Sequence, residues 1–122
     1  MNAFTHEVSV AEAADATSPA ILAGGATLVG FSVGPVGAAV TALALQVQFA
    51  IGGSWFTYLT GAGWAATDDY SVRRVSGTNP NTVADSAEGW GVVKLPPCYA
   101  IRFVAAMAGE GVVTFAGGTN TD

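Results

Sequence analysis

The amino-acid sequence predicts an all-β fold, an antiparallel β-sandwich that is jelly-roll-like and has about eight short strands. Large apolar residues alternate with small or polar ones in most segments, which is the period-two pattern of half-buried strands. Gly, Pro, Asn and Asp separate these segments at intervals of roughly 8–12 residues, the spacing typical of sandwiches and barrels. A chain of 122 residues is long enough for one such domain with a single core.

The N-terminal region is expected to add little to this core. The segments THEVSV and PAIL can each form a short edge strand, and VAEAADA, residues 10–16, is the only segment that favours a helical turn. That turn is marginal because so short a helix is barely stable in water. We therefore expect residues 1–18 to form an extended or mobile arm and residues 19–122 to form the single sandwich domain.

The strongest strand prediction lies at residues 41–51, TALALQVQFAI, where the alternation continues over eleven positions. A helix would scatter its large residues around the circumference, whereas a strand places them all on one buried face. Those residues are Leu43, Leu45, Val47, Phe49 and Ile51. The preceding segment ATLVGFSV, residues 26–33, predicts a strand that ends at Gly34-Pro35.

A hairpin turn is predicted at Gly52-Gly53, since glycine adopts a positive φ without steric cost. With an even number of loop residues, Trp55 would point outward and the buried stripe would be Val47, Phe49, Phe56 and Tyr58. An odd loop would instead bury Trp55, Thr57 and Leu59, because a slip of one residue reverses every side chain. The even loop is preferred because Phe56 and Tyr58 match the apolar stripe better than Thr57 does.

Four further strands are predicted in the second half of the chain, each bounded by turn residues. The first is followed by the turn-rich SGTNPN, the second stops at Pro96-Pro97, and the last two are joined by the short turn AGEG. These segments are YSVRRV (70–75), GWGVVKL (89–95), YAIRFVAAM (99–107) and GVVTFAG (111–117).

Composition narrows the classes of function. Charged residues make up 11% of the chain, less than half the usual share of about 25%, so we expect part of the surface to be covered in an assembly. A net charge of −5 with only four Lys and Arg residues argues against a nucleic-acid surface, which needs clustered basic residues. No apolar run approaches the roughly 18 residues of a membrane helix, and the N-terminus does not have the pattern of a signal peptide.

Residues typical of catalysis are scattered. Cys98 is the only cysteine and His6 the only histidine, so a buried, inert thiol is the favoured interpretation. The pair Asp68-Asp69 lies in a predicted turn, and nothing places Asp85 and Glu88 across a cleft as a glycosidase would require. We therefore expect no catalytic residue, no metal site and no cofactor.

The three tryptophans each lie beside glycine or a turn, and three roles remain open for them. They can close the core, anchor a protein interface or stack on sugar rings. The outer face of the Gly52-Gly53 hairpin is the best candidate interface, because uncharged residues are cheap to desolvate and Trp55 can supply an anchor. The candidate interface residues are Gln46, Gln48, Trp55 and Thr57.

The segment ATLVGFSVGPVGAAVTALALQVQFAIGGSWFTYL, followed much later by CYAIRFVAAM and GVVTFAGG, resembles small accessory proteins of tailed-phage particles. In that family, a strand with a G(I/F)xxP ending precedes a long strand, a glycine-bearing turn and an aromatic strand. The resemblance covers residues 20–117. This chain departs from the family in its turn, which reads Gly52-Gly53 in place of the frequent xDG.

The resemblance implies a non-enzymatic structural protein of a tailed-phage virion, assembled in the host cytoplasm. It implies a capsid decoration or cement protein, or the base of a head fibre, that binds the major capsid protein or other virion subunits. We expect it to form homo-oligomers and to bind neither nucleic acid nor membrane. A carbohydrate-binding module, a tail- or neck-associated module and a stand-alone domain with another ligand are the alternatives.

Overall fold

The computed structural model describes residues 2–12, 14–61, 64, 72–73 and 80–121, and these residues contain ten β-strands. Eight of the strands are three residues or longer. The strands are β1 (Asn2–Val10), β2 (Asp15–Thr17), β3 (Ile21–Leu22), β4 (Leu28–Val36), β5 (Val40–Gln48), β6 (Trp55–Thr60), β7 (Val72–Arg73), β8 (Gly89–Lys94), β9 (Ala100–Met107) and β10 (Gly111–Asn120).

The strands form two antiparallel sheets. Sheet 1 has the order β1-β10-β4-β8-β7, and sheet 2 has the order β2-β9-β5-β6, with β3 added beside β2 on the edge of β9. When the two-residue strands β3 and β7 are set aside, successive strands alternate between the two sheets, except in the β5–β6 hairpin. The first strand, β1, pairs with the last, β10. This is the strand order of a jelly roll, so the predicted all-β, jelly-roll-like sandwich is confirmed.

The core lies between the two sheets and follows the predicted alternation. On β9 the side chains that point inward are Ile101, Phe103, Ala105 and Met107, all of them buried. The ring of Phe103 lies 4.7 Å from that of Phe31 on β4 and 5.8 Å from that of Phe115 on β10, measured between centroids. Both partners belong to sheet 1, so this aromatic cluster joins the two layers.

The N-terminal region belongs to the sandwich, which corrects the division at residue 18. Residues 2–10 are extended, but all nine pair with β10, from Asn2↔Thr119 to Val10↔Gly111. Residues 15–17 pair with β9 as an edge strand of sheet 2. The helical turn predicted at residues 10–16 is wrong, because Val10 ends β1 and Asp15 begins β2. The short edge strand predicted in PAIL is confirmed as β3.

Strand β4 runs through Gly34-Pro35 to Val36 and does not end where the sequence predicts. The pairing of β4 with β8 stops at Val33↔Gly89, so no strand lies beside Pro35 on that edge. Proline is tolerated here because the N–H that it lacks would point to this unpaired edge. On that edge the Pro35 carbonyl accepts a hydrogen bond from the Ser86 N–H at 2.9 Å. On the other edge the pairing with β10 continues to Val36.

The remaining predicted strands agree with the structure where it describes them. GWGVVKL and YAIRFVAAM correspond to β8 and β9, and GVVTFAG corresponds to β10, which continues to Asn120. Of the predicted strand at 70–75, only Val72 and Arg73 lie within the described residues, as β7. No helix in the described part of the chain is long and apolar enough to cross a membrane.

Gly117 on β10 gives the most direct test of the packing of sheet 1 against the core. A Cβ added there would overlap the carbonyl oxygen of Gly30 and lie 2.9 Å from Cζ of Phe4. Backbone of a paired strand cannot move aside easily, so Gly117→Ala should destabilise the protein by about 1–3 kcal/mol in a denaturant titration. Gly30→Ala is the matched control, since its Cβ would meet only Cγ2 of Val92 at 4.0 Å. Equal stabilities of the two variants would contradict the strand packing described above.

Candidate functional site

The β5–β6 hairpin places the four candidate interface residues on one face of sheet 2. Strand β5 ends at Gln48 and β6 begins at Trp55, so the loop has six residues, 49–54. Gln48 pairs with Trp55 and Gln46 pairs with Thr57, and directly opposed residues share a face. The prediction of an even loop with Trp55 pointing outward is therefore confirmed, although the loop is longer than the Gly52-Gly53 pair alone.

The turn contains both glycines of the predicted pair, but only Gly52 adopts a positive φ. Gly52 has a φ of 73°, a conformation that side-chain-bearing residues rarely adopt. The Gly53 N–H donates a hydrogen bond to the Ala50 carbonyl at 3.0 Å. The side chain of Gln48 folds back and donates from Nε2 to the Gly53 carbonyl at 2.8 Å. Gln48 thereby fixes the turn and is buried, so its amide is committed to this contact.

The predicted buried stripe is only partly correct. Leu43, Leu45 and Val47 are buried, but Phe49 and Ile51 lie in the loop and are exposed. Phe56 pairs with Val47, yet it too is largely exposed because it lies where the sheet ends; its ring contacts that of Phe49 at 5.9 Å.

A register shift in β6 explains the position of Tyr58, the last residue of the predicted stripe. The pairing changes between Leu45 and Gln46, leaving Tyr58 without a directly opposed residue, and Leu59 is buried opposite Leu45. Tyr58 is half-buried against the core, and its hydroxyl donates a hydrogen bond to the Lys94 carbonyl at 3.1 Å. A bulge of this kind adds one residue to one strand and redirects the side chains beyond it.

Arg102 is a residue of this face that the sequence interpretation did not include among the candidates. It lies on β9 directly opposite Gln46, and its Nε donates a hydrogen bond to Gln46 Oε1 at 2.7 Å. Its guanidinium carbon lies 4.4 Å from the centre of the Trp55 ring, within the range of a cation–π contact. The side chain therefore crosses β5 and links β9 to β6 on the outer face. We call Gln46, Trp55 and Arg102 the Trp–Arg platform.

The Trp–Arg platform changes the expected chemistry of the face. The sequence predicts an uncharged surface, whereas the structure places a guanidinium at its centre. The Arg102 head group has two contacts, since its Nε bonds the Gln46 amide oxygen and its guanidinium carbon lies over the Trp55 ring. Because the side chains are already ordered, a partner that covers them loses little additional conformational entropy.

A shallow depression of about 160 Å³ lies further along the same face. It is lined mainly by small side chains of β5, β6 and β9, together with Asp15 of β2. Its lining residues include Ala42, Ala44, Thr60, Val104 and Ala106. The Trp–Arg platform and this depression together form one continuous outer surface on β6, β5 and β9.

The three tryptophans have different environments, so no single role fits them all. Trp64 is fully buried, donates from Nε1 to the Leu43 carbonyl at 2.7 Å and packs edge-on against Phe31. It closes the core. Trp90 is half-buried on the outer face of sheet 1, opposite Ser32, and Trp55 is half-buried on the outer face of sheet 2. Only these two present ring surface to a partner.

The residues considered for chemistry are dispersed over the sandwich. Cys98 is half-buried, and burial raises the pKa of its thiol. His6 lies in β1, where its ring stacks on Phe4 at 5.9 Å; it is not on a mobile arm. Asp85 accepts a hydrogen bond from the Gly37 N–H at 2.7 Å and thereby fixes a turn.

Metal-ligating side chains do not converge in the part of the chain that the structure describes, where no three His, Cys, Asp or Glu residues form a group that could hold an ion. Asp68 and Asp69 lie outside the described residues.

No protein-family model matches this chain, and neither a curated protein nor a solved structure matches it.

The different positions of Phe49 and Trp64 predict different costs of truncation. Phe49→Ala should lower the free energy of unfolding by about 1.5 kcal/mol or less, because the side chain is largely exposed and its ring packs on that of Phe56 outside the core. Trp64→Ala should cost about 3–5 kcal/mol, because it empties a buried aromatic site. Urea titrations of both variants measure the difference. A larger cost for Phe49→Ala than for Trp64→Ala would show that Phe49 belongs to the core.

Proposed function

We propose that this chain is a non-enzymatic structural protein of a tailed-phage virion, one that decorates the capsid by binding the major capsid protein or other virion subunits and its own copies. The observation that carries the proposal is the Trp–Arg platform on the outer face of sheet 2. Trp and Arg are the residue types that most often dominate the binding energy of protein interfaces. Here they lie together, half-buried and ordered, on an accessible sheet face.

The fold and the composition are consistent with this role. A jelly roll offers two wide sheet faces and two ends, and it occurs in virus capsid proteins. The low share of charged residues leaves large areas that can be desolvated at small cost. These properties favour a protein that is covered by neighbours over one that turns over a small substrate.

A carbohydrate-binding module is the second candidate, because Trp55 has a partly exposed ring flanked by an amide and a guanidinium. Sugar rings stack flat on an open aromatic face. One face of Trp55 is already covered by Arg102 at 4.4 Å, which leaves less ring for a sugar and favours the protein interface. Binding to a glycan array, abolished by Trp55→Ala, would support the carbohydrate module instead.

The proposal predicts that Trp55→Ala weakens the binding of this protein to phage heads assembled without it by at least about 2 kcal/mol. Folding should be nearly unchanged, since the variant loses one cation–π contact worth about 0.5–1 kcal/mol. Arg102→Lys should also weaken binding, because lysine cannot keep both the stacking and the Gln46 contact. Co-sedimentation with the heads and thermal melts measure the two effects.

Trp90→Ala is the matched control for this experiment, since Trp90 is also half-buried but lies on the outer face of sheet 1. It should leave binding to the heads unchanged. If Trp90→Ala and not Trp55→Ala reduces binding, the partner covers the opposite sheet and the platform is not the interface. If the wild-type protein does not bind heads, the decoration function is wrong.

A further inference from the structure

One end of the sandwich has loops without a single charged residue. Its three loops are residues 18–27 between β2 and β4, residues 49–54 between β5 and β6, and residues 95–99 between β8 and β9. The start of β1 and the end of β10 lie at this end too, because Asn2 and Thr121 line a recess together with Ala23 of the first loop. The loop sequences, SPAILAGGAT, FAIGGS and LPPCY, contain no Asp, Glu, Lys or Arg. We call this the uncharged end after its loops; Lys94, the last residue of β8, also lies here.

The opposite end of the sandwich is acidic. Among the described residues, five carboxylates lie in its loops or at the first residue of a strand that begins there, and the net charge of the chain is −5. These residues are Glu12, Asp15, Asp85, Glu88 and Glu110. The charge of the molecule is therefore distributed unequally along the strand direction.

Exposed apolar side chains are concentrated at the uncharged end. Among the described residues, five large hydrophobic side chains are exposed, and four of them lie at this end: Leu22 at 55%, Phe49 at 55%, Ile51 at 80% and Phe56 at 54%. The fifth, Val36 at 60%, lies at the acidic end. If large side chains offer on the order of 200 Å² each, the four expose on the order of 500 Å², more than half of the ~800 Å² that each partner buries in a stable interface.

A groove of about 250 Å³ opens at the same end. It lies between two of the loops, which are joined by hydrogen bonds from the Leu95 N–H to the Thr27 carbonyl and from the Ala23 N–H to the Tyr99 carbonyl, at 2.8 and 2.9 Å. Its volume exceeds the roughly 150 Å³ of an apolar cavity that holds a benzene molecule, so it can admit a Phe or Ile side chain. The lining residues are Gly25, Ala26, Thr27, Leu95, Pro97 and Cys98.

The groove and the exposed tip of the hairpin are neighbours. The Tyr99 N–H donates a hydrogen bond to the Gln48 carbonyl at 2.9 Å, so Cys98 in the groove lies beside the start of the loop that carries Phe49. The tip, which we define as Phe49, Ile51 and Phe56, projects where β5 and β6 end. A projecting apolar element and an apolar recess on one end of the molecule form a self-complementary surface.

We propose that the uncharged end joins two copies of this chain, with the hairpin tip of each copy seated in the groove of the other. A twofold axis requires that each surface meet the same surface of its partner, and a neighbouring tip and groove satisfy this requirement. Contact through the uncharged ends also keeps the acidic ends of the two copies apart, which limits their repulsion. This inference rests on the proposed function, in which copies of the chain bind one another. It assigns that self-association to the uncharged end and not to the Trp–Arg platform.

Sedimentation velocity on the purified protein, without phage heads, tests the proposal. The wild-type protein should dimerise in a concentration-dependent manner, and Ile51→Asp should weaken the dimer at least roughly tenfold because it places an unpaired carboxylate in the groove. Val36→Asp is the matched control, since it adds the same charge at an exposed apolar position on the opposite end. It should leave the dimer unchanged.

Alkylation of Cys98 by iodoacetamide reports on the groove itself. Its rate should fall as the protein concentration rises, because the hairpin tip of a partner covers the thiol, and Ile51→Asp should restore the rate of the monomer. A monomeric wild-type protein, equal effects of the two Asp variants, or a dimer in which the Cys98 rate is independent of concentration would each overturn the proposal.

The two proposals fail separately. Loss of dimerisation with head binding retained overturns only the uncharged-end contact. Retained dimerisation without head binding overturns only the decoration function.

Discussion

Phe103 is the residue on which both layers of the sandwich depend. Its ring on sheet 2 packs against Phe31 and Phe115 of sheet 1, at 4.7 and 5.8 Å between centroids. Its backbone is held on the β2 side by Ser18, which donates its N–H to the Phe103 carbonyl and accepts the Phe103 N–H at its hydroxyl, both at 2.9 Å. Ser18 thus continues the edge of the sheet beyond β2. Phe103 therefore determines how β9 is positioned relative to sheet 1 and to β2.

The same register that buries Phe103 exposes Arg102, because adjacent residues of a strand point to opposite faces. Arg102 can reach Trp55 and Gln46 only while β9, β5 and β6 keep the observed pairing. A slip of one residue would bury the guanidinium and expose the Phe103 ring, at a large cost on both faces. The packing of the core therefore fixes the strand register, and that register positions the side chains of the Trp–Arg platform.

Local alternation was sufficient to predict the fold class, the strands β8 and β9 and the outward direction of Trp55. It was not sufficient to predict where β5 ends, because Phe49 and Ile51 continue the period-two pattern after the strand has stopped at Gln48. At the end of the strand the Gln48 side chain bonds the Gly53 carbonyl and stabilises the turn, a contact that no periodicity reveals. Arg102 was missed for a similar reason, since its partner Gln46 is 56 residues away in the chain.

The position of β10 restricts when this protein can fold. β10 lies between β1 and β4, so the strand formed by residues 111–120 must be present before residues 2–10 can enter sheet 1. During translation, β1 therefore emerges from the ribosome long before its hydrogen-bonding partner and has to wait as an unpaired, partly apolar segment. Pairing of such distant segments is slow, and exposed strand edges promote aggregation in the interval. Sheet 1 is consequently completed late, by the pairing of β1 with β10, although β4 and β8 can pair before β10 is made. Newly made chains are most vulnerable to aggregation just before this step.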